Sequence, residues 1–312
     1  MTVDHSRLKN FTYRADVDGL RALAVIPVVL FHAALGFPGG FVGVDIFFVI
    51  SGYLITTIIA KEMVQGEFQM KNFWERRIRR ILPAAAVMSL FVLIAGACIL
   101  LPFQFQDLGK SSIAQTLMVS NFYFWQQDGY FAAPSDFEPL LHTWSLAVEE
   151  QFYFIFPVLM VFLFKKGRHH LIRWTSILFA LSFIWSIYGV THYPSATFYL
   201  LPARGWELLI GALIALVPMR IPKAYGLPQI LSWTGFALIF YAYTRYSLST
   251  TFPGLSAAPP VLGTALLIIA NRDSLTLPGK ILALPPIVFI GKISYSLYLW
   301  HWPLLVLSLI HI

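Results

Sequence analysis

Two titratable residues stand in apolar runs within one stretch, RADVDGLRALAVIPVVLFHAALGFPGGFVGVDIFFVISG from Arg14 to Gly52: His32 and Asp45. A titratable side chain placed in hydrocarbon costs about 2.5–3.5 kcal/mol even on the lenient insertion scale, so each is a functional candidate by default. Gly36 to Gly40 read as a turn, with His32 four residues before it and Asp45 five after. That spacing sets both roughly one to two turns below the same membrane surface. Matched depth predicts that the carboxylate orients the imidazole. A ring so held has a fixed tautomer and raised basicity, as a general base requires. The same pair also suits a plainer role, a polar contact that locks two helices together.

Three further groups carry charge where chemistry could use it. Arg14, Asp18 and Arg21 follow at i, i+4 and i+7 and are expected to share a helix face, the Asp held ionised between two guanidinium groups. Arg76, Arg77, Arg79 and Arg80 stand before the third apolar run, with Arg77 and Arg80 on one face. Such a pair can grip phosphate oxygens bidentately, although a basic cluster at this place also enforces topology. HTWSLAVEEQFY supplies His142, Trp144, Glu149 and Glu150; RGWEL supplies Arg204 and Glu207; SYSLYLWHWPLL supplies His301. Several charges in apolar segments must face an interior, hydrated cavity, and some of them serve only as each other's partners.

Asp18 and His32 are 14 residues apart, hence about 21 Å along a straight helix, and cannot touch. The residues suited to phosphate gather at one membrane face, while the His, Asp and Glu groups lie more than halfway across. A substrate with an anionic head and a long thin arm ending in a reactive group suits both stations, and acyl-coenzyme A is such a molecule.

The elements that must position these residues are membrane helices. The chain has 312 residues, 58% of them hydrophobic and only 12% charged, with mean hydropathy +0.70. Repeated apolar runs of spanning length indicate an all-α polytopic bundle, and no alternating pattern indicates a barrel. The net charge of +7 comes from short clusters between apolar runs, a topology signal rather than a nucleic-acid footprint. Arg7, Lys9, Arg14 and Arg21 place the N-terminus on the cytoplasmic side. Spans are expected near 20–35, 41–60, 81–101, 141–164, 171–190, 199–217, 228–246, 257–270 and 286–309, about nine in all, with Arg220, Lys223, Arg272 and Lys280 in inner loops. From Ser111 to Phe164 there is no Lys or Arg, so 111–125 reads as a re-entrant or outer-surface helix. Cys98 reads as core filler. No Walker loop, HExxH or GxSxG pattern is present, and no metal site is expected.

Taken together, YRADVDGLRALAVIPVVLFH, GGFVGVDIFFVISGYLIT, FWERRIRRILPA, LHTWSLAVEEQFY, ARGWELLIGAL and ISYSLYLWHWPLL resemble, in order, the motifs of the acyltransferase-3 family of membrane acyltransferases. The resemblance spans nearly the whole chain and implies one acyltransferase-like transmembrane domain over residues 1–312. It implies O-acylation, usually acetylation, of a cell-surface glycan such as O-antigen, exopolysaccharide or peptidoglycan. The donor would be cytoplasmic acetyl-CoA, the acceptor would lie across the membrane, and the site would be the bacterial inner membrane. His32 matches the family's essential histidine, Arg14 and Asp18 its RxxxD element, and Arg77 and Arg80 its arginine pair. A further C-terminal span and an SGNH-type domain, frequent in such proteins, are not seen in this sequence.

The expected site therefore comprises His32, Asp45, Glu149 and His301 for the chemistry. Arg14, Asp18, Arg77 and Arg80 would hold the donor, and Trp144, Arg204 and Glu207 the acceptor. His32 either accepts the acyl group or deprotonates the acceptor hydroxyl. A proton-coupled transporter using the same buried groups is the rival reading, and a non-catalytic membrane scaffold a third.

Overall fold

The computed structural model describes residues 13–127, 138–217, 221–222 and 226–310. Arg7, Lys9, Arg220 and Lys223, used above to orient the chain, lie outside the described residues. Among the described residues the regular structure is helical: α1 (Ala15–His32), α2 (Gly43–Gln65), α3 (Met70–Ile99), α4 (Pro102–Thr116), α5 (Ser120–Gln127), α6 (Thr143–Phe164), α7 (Arg168–His192), α8 (Pro194–Tyr199), α9 (Leu201–Leu216), α10 (Leu227–Arg245), α11 (Ala258–Ala270), α12 (Leu277–Leu282) and α13 (Pro285–Ile310). Five helical stretches among them are long and apolar enough to cross a membrane: 40–65, 70–99, 143–164, 168–192 and 194–216. α1, α10, α11 and α13 occupy the other segments where spans are expected. The chain is a multi-pass membrane protein.

Two expected boundaries change, each for a local reason. α3 begins at Met70 instead of near Ile81, so the arginine run is its first turns and not a loop. Arg and Lys are good helix formers, and hydropathy does not register that. The single helix expected over 111–125 is two. α4 closes in a left-handed residue, Met118 at φ 58°, with the Val119 amide bonded to the Ala114 carbonyl at 2.8 Å, a Schellman-type stop. α5 then starts where Ser120 Oγ donates to the Thr143 carbonyl at 2.9 Å and Asn121 Nδ2 to the Tyr199 carbonyl at 3.2 Å. Cys98 is exposed on α3 rather than filling the core.

The stretches 40–65, which holds α2, and 194–216, which holds α8 and α9, form the centre, with 78% and 72% of their most apolar windows buried, against 22% for α3 and for α7. The outer helices are apolar because they meet lipid. In the centre, small residues let main chains touch, the usual means of packing helices without a hydrophobic drive between them. A Cβ on Gly52 would fall 1.8 Å from the Leu208 carbonyl oxygen, and one on Gly211 would fall 2.1 Å from that of Val49. This double crossing carries the Arg204 turn of α9 against the start of α2. The C-terminal end of α9 is closed by two basic residues: Arg168 donates from Nε at 3.2 Å to the Leu216 carbonyl, and Arg272 from Nη1 at 3.0 Å to that of Val217. Those cations satisfy carbonyls that the helix leaves unpaired.

Candidate active site

A cavity of about 370 Å³ runs between α1, α2, α3, α6 and α13. Asp18, Arg21, Arg77 and Arg80 stand at one end, Glu149, Glu150, Ser51 and Tyr153 along it, and Ser145 and Tyr298 at the other end. α3 makes the arginine end by its periodicity. Arg76 is turned to Glu62 at 2.7 Å and Arg79 to Glu75 at 2.6 Å, which leaves Arg77 and Arg80, three apart, to face inward. The Arg77 guanidinium lies 5.3 Å above the Tyr153 ring, a cation–π contact that holds the charge in place. Glu149 accepts from Ser51 Oγ at 3.1 Å and from Tyr153 Oη at 3.2 Å.

The other end is organised by two facing polar stripes. On α6 and the turn before it, His142, Ser145 and Glu149 recur at i, i+3 and i+7; on α13, Ser294, Tyr298 and His301 recur at i, i+4 and i+7. Each set lines one face of its helix. Tyr298 Oη and Ser145 Oγ meet at 2.6 Å, and Tyr298 Oη donates to the His142 carbonyl at 3.1 Å. One turn beyond, His301 Nε2 meets His32 Nδ1 at 3.1 Å, and the His142 ring lies 5.6 Å from that of His301. Neither ring nitrogen of His142 has a hydrogen-bond partner among the described residues. The arginine end and the histidine group therefore lie on one axis, but the cavity does not extend from one to the other. His32 and His301 do not line the cavity, and the Tyr298–Ser145 contact stands in between.

Several expected placements are corrected. His32 and Asp45 do share a level, His32 as the last residue of α1 and Asp45 in the first turn of α2. Their side chains nevertheless go to different partners. Asp45 Oδ1 pairs with Arg204 Nη2 at 3.1 Å, and Arg204 Nε with Glu207 Oε1 at 3.3 Å, as that i, i+3 spacing predicts. All three side chains are essentially without solvent contact. Trp144 also belongs to this sealed group, its ring 5.6 Å from the Arg204 guanidinium, as do Phe48, Phe198 and Phe252. None of Asp45, Trp144, Arg204 and Glu207 lines the cavity; their contacts are with one another and with the aromatic rings around the guanidinium.

The expected Arg14–Asp18–Arg21 ladder is likewise split. Arg14 turns to Asp16, with Nε to Oδ1 at 2.8 Å, and to the Ile268 carbonyl at 3.2 Å, so it braces α1 against α11 instead of entering the cavity. Asp18 is shared by Arg21 at 3.4 Å and by Tyr13 Oη at 2.7 Å. That hydrogen bond, with some desolvation and the carboxylate's charge, pushes the Tyr13 phenol up to about 12. Arg21 takes the cavity position assigned to Arg14, and Ser51, Tyr153, Ser145 and Tyr298 join the site unforeseen. The i, i+3/4, i+7 recurrence of polar residues on two apolar helices is the signal that marks Ser145 and Tyr298 in the sequence. Among the described residues no three His, Cys, Asp or Glu side chains are placed to hold a metal ion.

Comparison with known proteins adds to this geometry. A family model described as "Acyltransferase domain" matches residues 14–309. "Putative O-acetyltransferase SAS0844" of Staphylococcus aureus strain MSSA476 is 34% identical over 99% of this chain and 53% of its own length. "O-acetyltransferase OatA" of S. aureus strain NCTC 8325 is 32% identical over 98% of this chain and 53% of its own. The chain thus spans about half the length of the curated relatives it matches. No solved structure matches it.

Proposed function

Since the chain belongs to the acyltransferase-3 family, we propose that it moves an acyl group, acetyl in the first instance, from cytoplasmic acyl-CoA to a hydroxyl of a cell-envelope glycan on the far side of the membrane. Under this reading it is an enzyme of the bacterial inner membrane with its N-terminus in the cytoplasm and about nine crossing helices. Its partners are membrane lipid, the glycan acceptor and, as a further partner, an SGNH-type domain. The observation that carries the proposal is the cavity itself, with three arginines at one end and its other end one helical turn from a histidine pair.

Arg21, Arg77 and Arg80 supply forked, permanently charged donors for the donor's phosphates. The apolar lining between them and Tyr298, including Val44, Phe47 and Leu146, suits the thin arm and excludes water from the thioester. His32 acts as the general base. The acceptor oxygen attacks the thioester carbonyl carbon as its proton passes to the imidazole; the C–S bond then breaks, and the sulfur leaves with coenzyme A and takes up the proton. Because the Tyr298–Ser145 contact separates the cavity from His32, the Tyr298 side chain swings aside when the acyl group arrives.

The test compares O-acetyl content of envelope glycans in cells making the intact protein or its His32→Ala form at matched membrane abundance. A fall of about 10²-fold or more, the range a positioned base contributes, is expected. Equal acetylation removes the proposal, and substrate movement independent of acyl-CoA would favour a proton-coupled transporter.

A further inference from the structure

The base reading leaves open which nitrogen of His32 is basic, and the hydrogen bonds around it supply an answer. His301 Nδ1 lies 2.7 Å from the Tyr298 carbonyl oxygen. A carbonyl has no proton to give, so Nδ1 carries the hydrogen. In a neutral ring Nε2 of His301 is then a bare acceptor, and it is this atom that faces His32 Nδ1 at 3.1 Å. Two acceptors cannot share a hydrogen bond, so His32 Nδ1 is the donor. The ring centroids are 5.2 Å apart with planes 25° from parallel; together with the short nitrogen distance this means the imidazoles meet edge to edge and nearly coplanar. That orientation lays the His301 lone pair, which lies in its ring plane, along the His32 N–H.

We propose that His301, fixed by the main-chain carbonyl of Tyr298, is the positioning residue that sets the His32 tautomer and presents Nε2 as the proton acceptor. A backbone carbonyl and a second histidine thus fill the place that a carboxylate takes in the common arrangement, the place that the sequence assigned to Asp45. The relay is uncharged at rest, which suits a ring in an apolar bundle, where a carboxylate would need its own counter-ion. When Nε2 accepts the hydroxyl proton, Nδ1–H stays on His32 and its bond to His301 strengthens as the ring becomes charged. No proton has to travel along the chain.

This inference rests on the proposed role of His32, so its test includes a measurement that needs no turnover. The ¹⁵N NMR spectrum of the intact chain in lipid nanodiscs, with labelled histidine and His32 assigned by substitution, should show His32 protonated at Nδ1 and bare at Nε2. In parallel, His301→Leu should lower kcat for acetyl transfer by at least about tenfold, a part of what a positioned base contributes, with donor KM unchanged. His301→Gln, whose amide oxygen offers an acceptor near the former Nε2 position, should recover most of that loss. A proton on Nε2 of His32, or His301→Gln no better than His301→Leu, overturns the proposal. If the tautomer is as stated but His32→Ala leaves acetylation intact, the assignment stands and the catalytic reading fails.

Discussion

Two clusters of buried charge lie within the same bundle, and they differ in what surrounds them. Asp45, Arg204 and Glu207 are sealed: the guanidinium is paired with both carboxylates, aromatic rings cover it, and none of the three lines the cavity. Arg21, Arg77, Arg80, Glu149 and Glu150 are grouped as densely but around open space. Burial of charge in a membrane segment marks both clusters equally. What separates scaffold from site is whether the charges are consumed by each other. In the sealed cluster the guanidinium sits between two carboxylates, whereas among the described residues Arg77 and Arg80 form no salt bridge with a cavity glutamate and present their donors to the space.

That contrast can be broken by substitution. Arg204→Leu leaves two carboxylates without their cation and should destabilise the protein by about 3–5 kcal/mol, the cost of removing one partner of a buried pair. Thermal unfolding in detergent reads it, and donor affinity should not change in the fraction that folds. An unaltered melting curve would show that the sealed cluster is not a brace. Arg77→Ala should behave in the opposite way. Loss of charge-assisted hydrogen bonds worth about 1.5–3 kcal/mol should raise donor KM roughly ten- to a hundredfold with little change in melting. Titration of donor binding in nanodiscs checks this, and equal binding by both proteins would remove the arginine end from the site. The smallest effect is expected at the barrier between the cavity and the histidines. Tyr298→Phe removes the hydroxyl and its two hydrogen bonds, to Ser145 and to the His142 carbonyl, each worth about 1 kcal/mol, so stability should fall by less than it does on breaking the buried ion cluster. If that contact holds the passage shut, turnover with acyl-CoA should rise or stay level rather than fall.

The helices were legible because hydropathy and length report them directly; six of the expected spans from Leu141 onward end within a few residues of the observed helices. Arg77, Arg80 and Glu149 were legible as cavity residues for a related reason, since unpaired charge in an apolar run has few places to go. The partner of Asp45 was not. Counting along a hairpin gives depth but not the direction in which a side chain leaves its helix. That direction is decided by α9, some 160 residues away, through main-chain contacts at Gly52 and Gly211 that no local pattern displays. Arg14 was misplaced similarly: Asp16 and Asp18 are both within reach, and only the arrival of Ile268 from α11 selects the former.

The glycine crossing has a mechanical consequence. Where main chain rests on main chain there is no layer of adaptable side chains to absorb sliding, so α2 and α9 behave as a single stiff spar. Widening of the route from the arginines to His32 then falls to seams held by hydroxyls instead of glycines, and nearest the histidines that seam is α13 against α6, where Tyr298 meets Ser145.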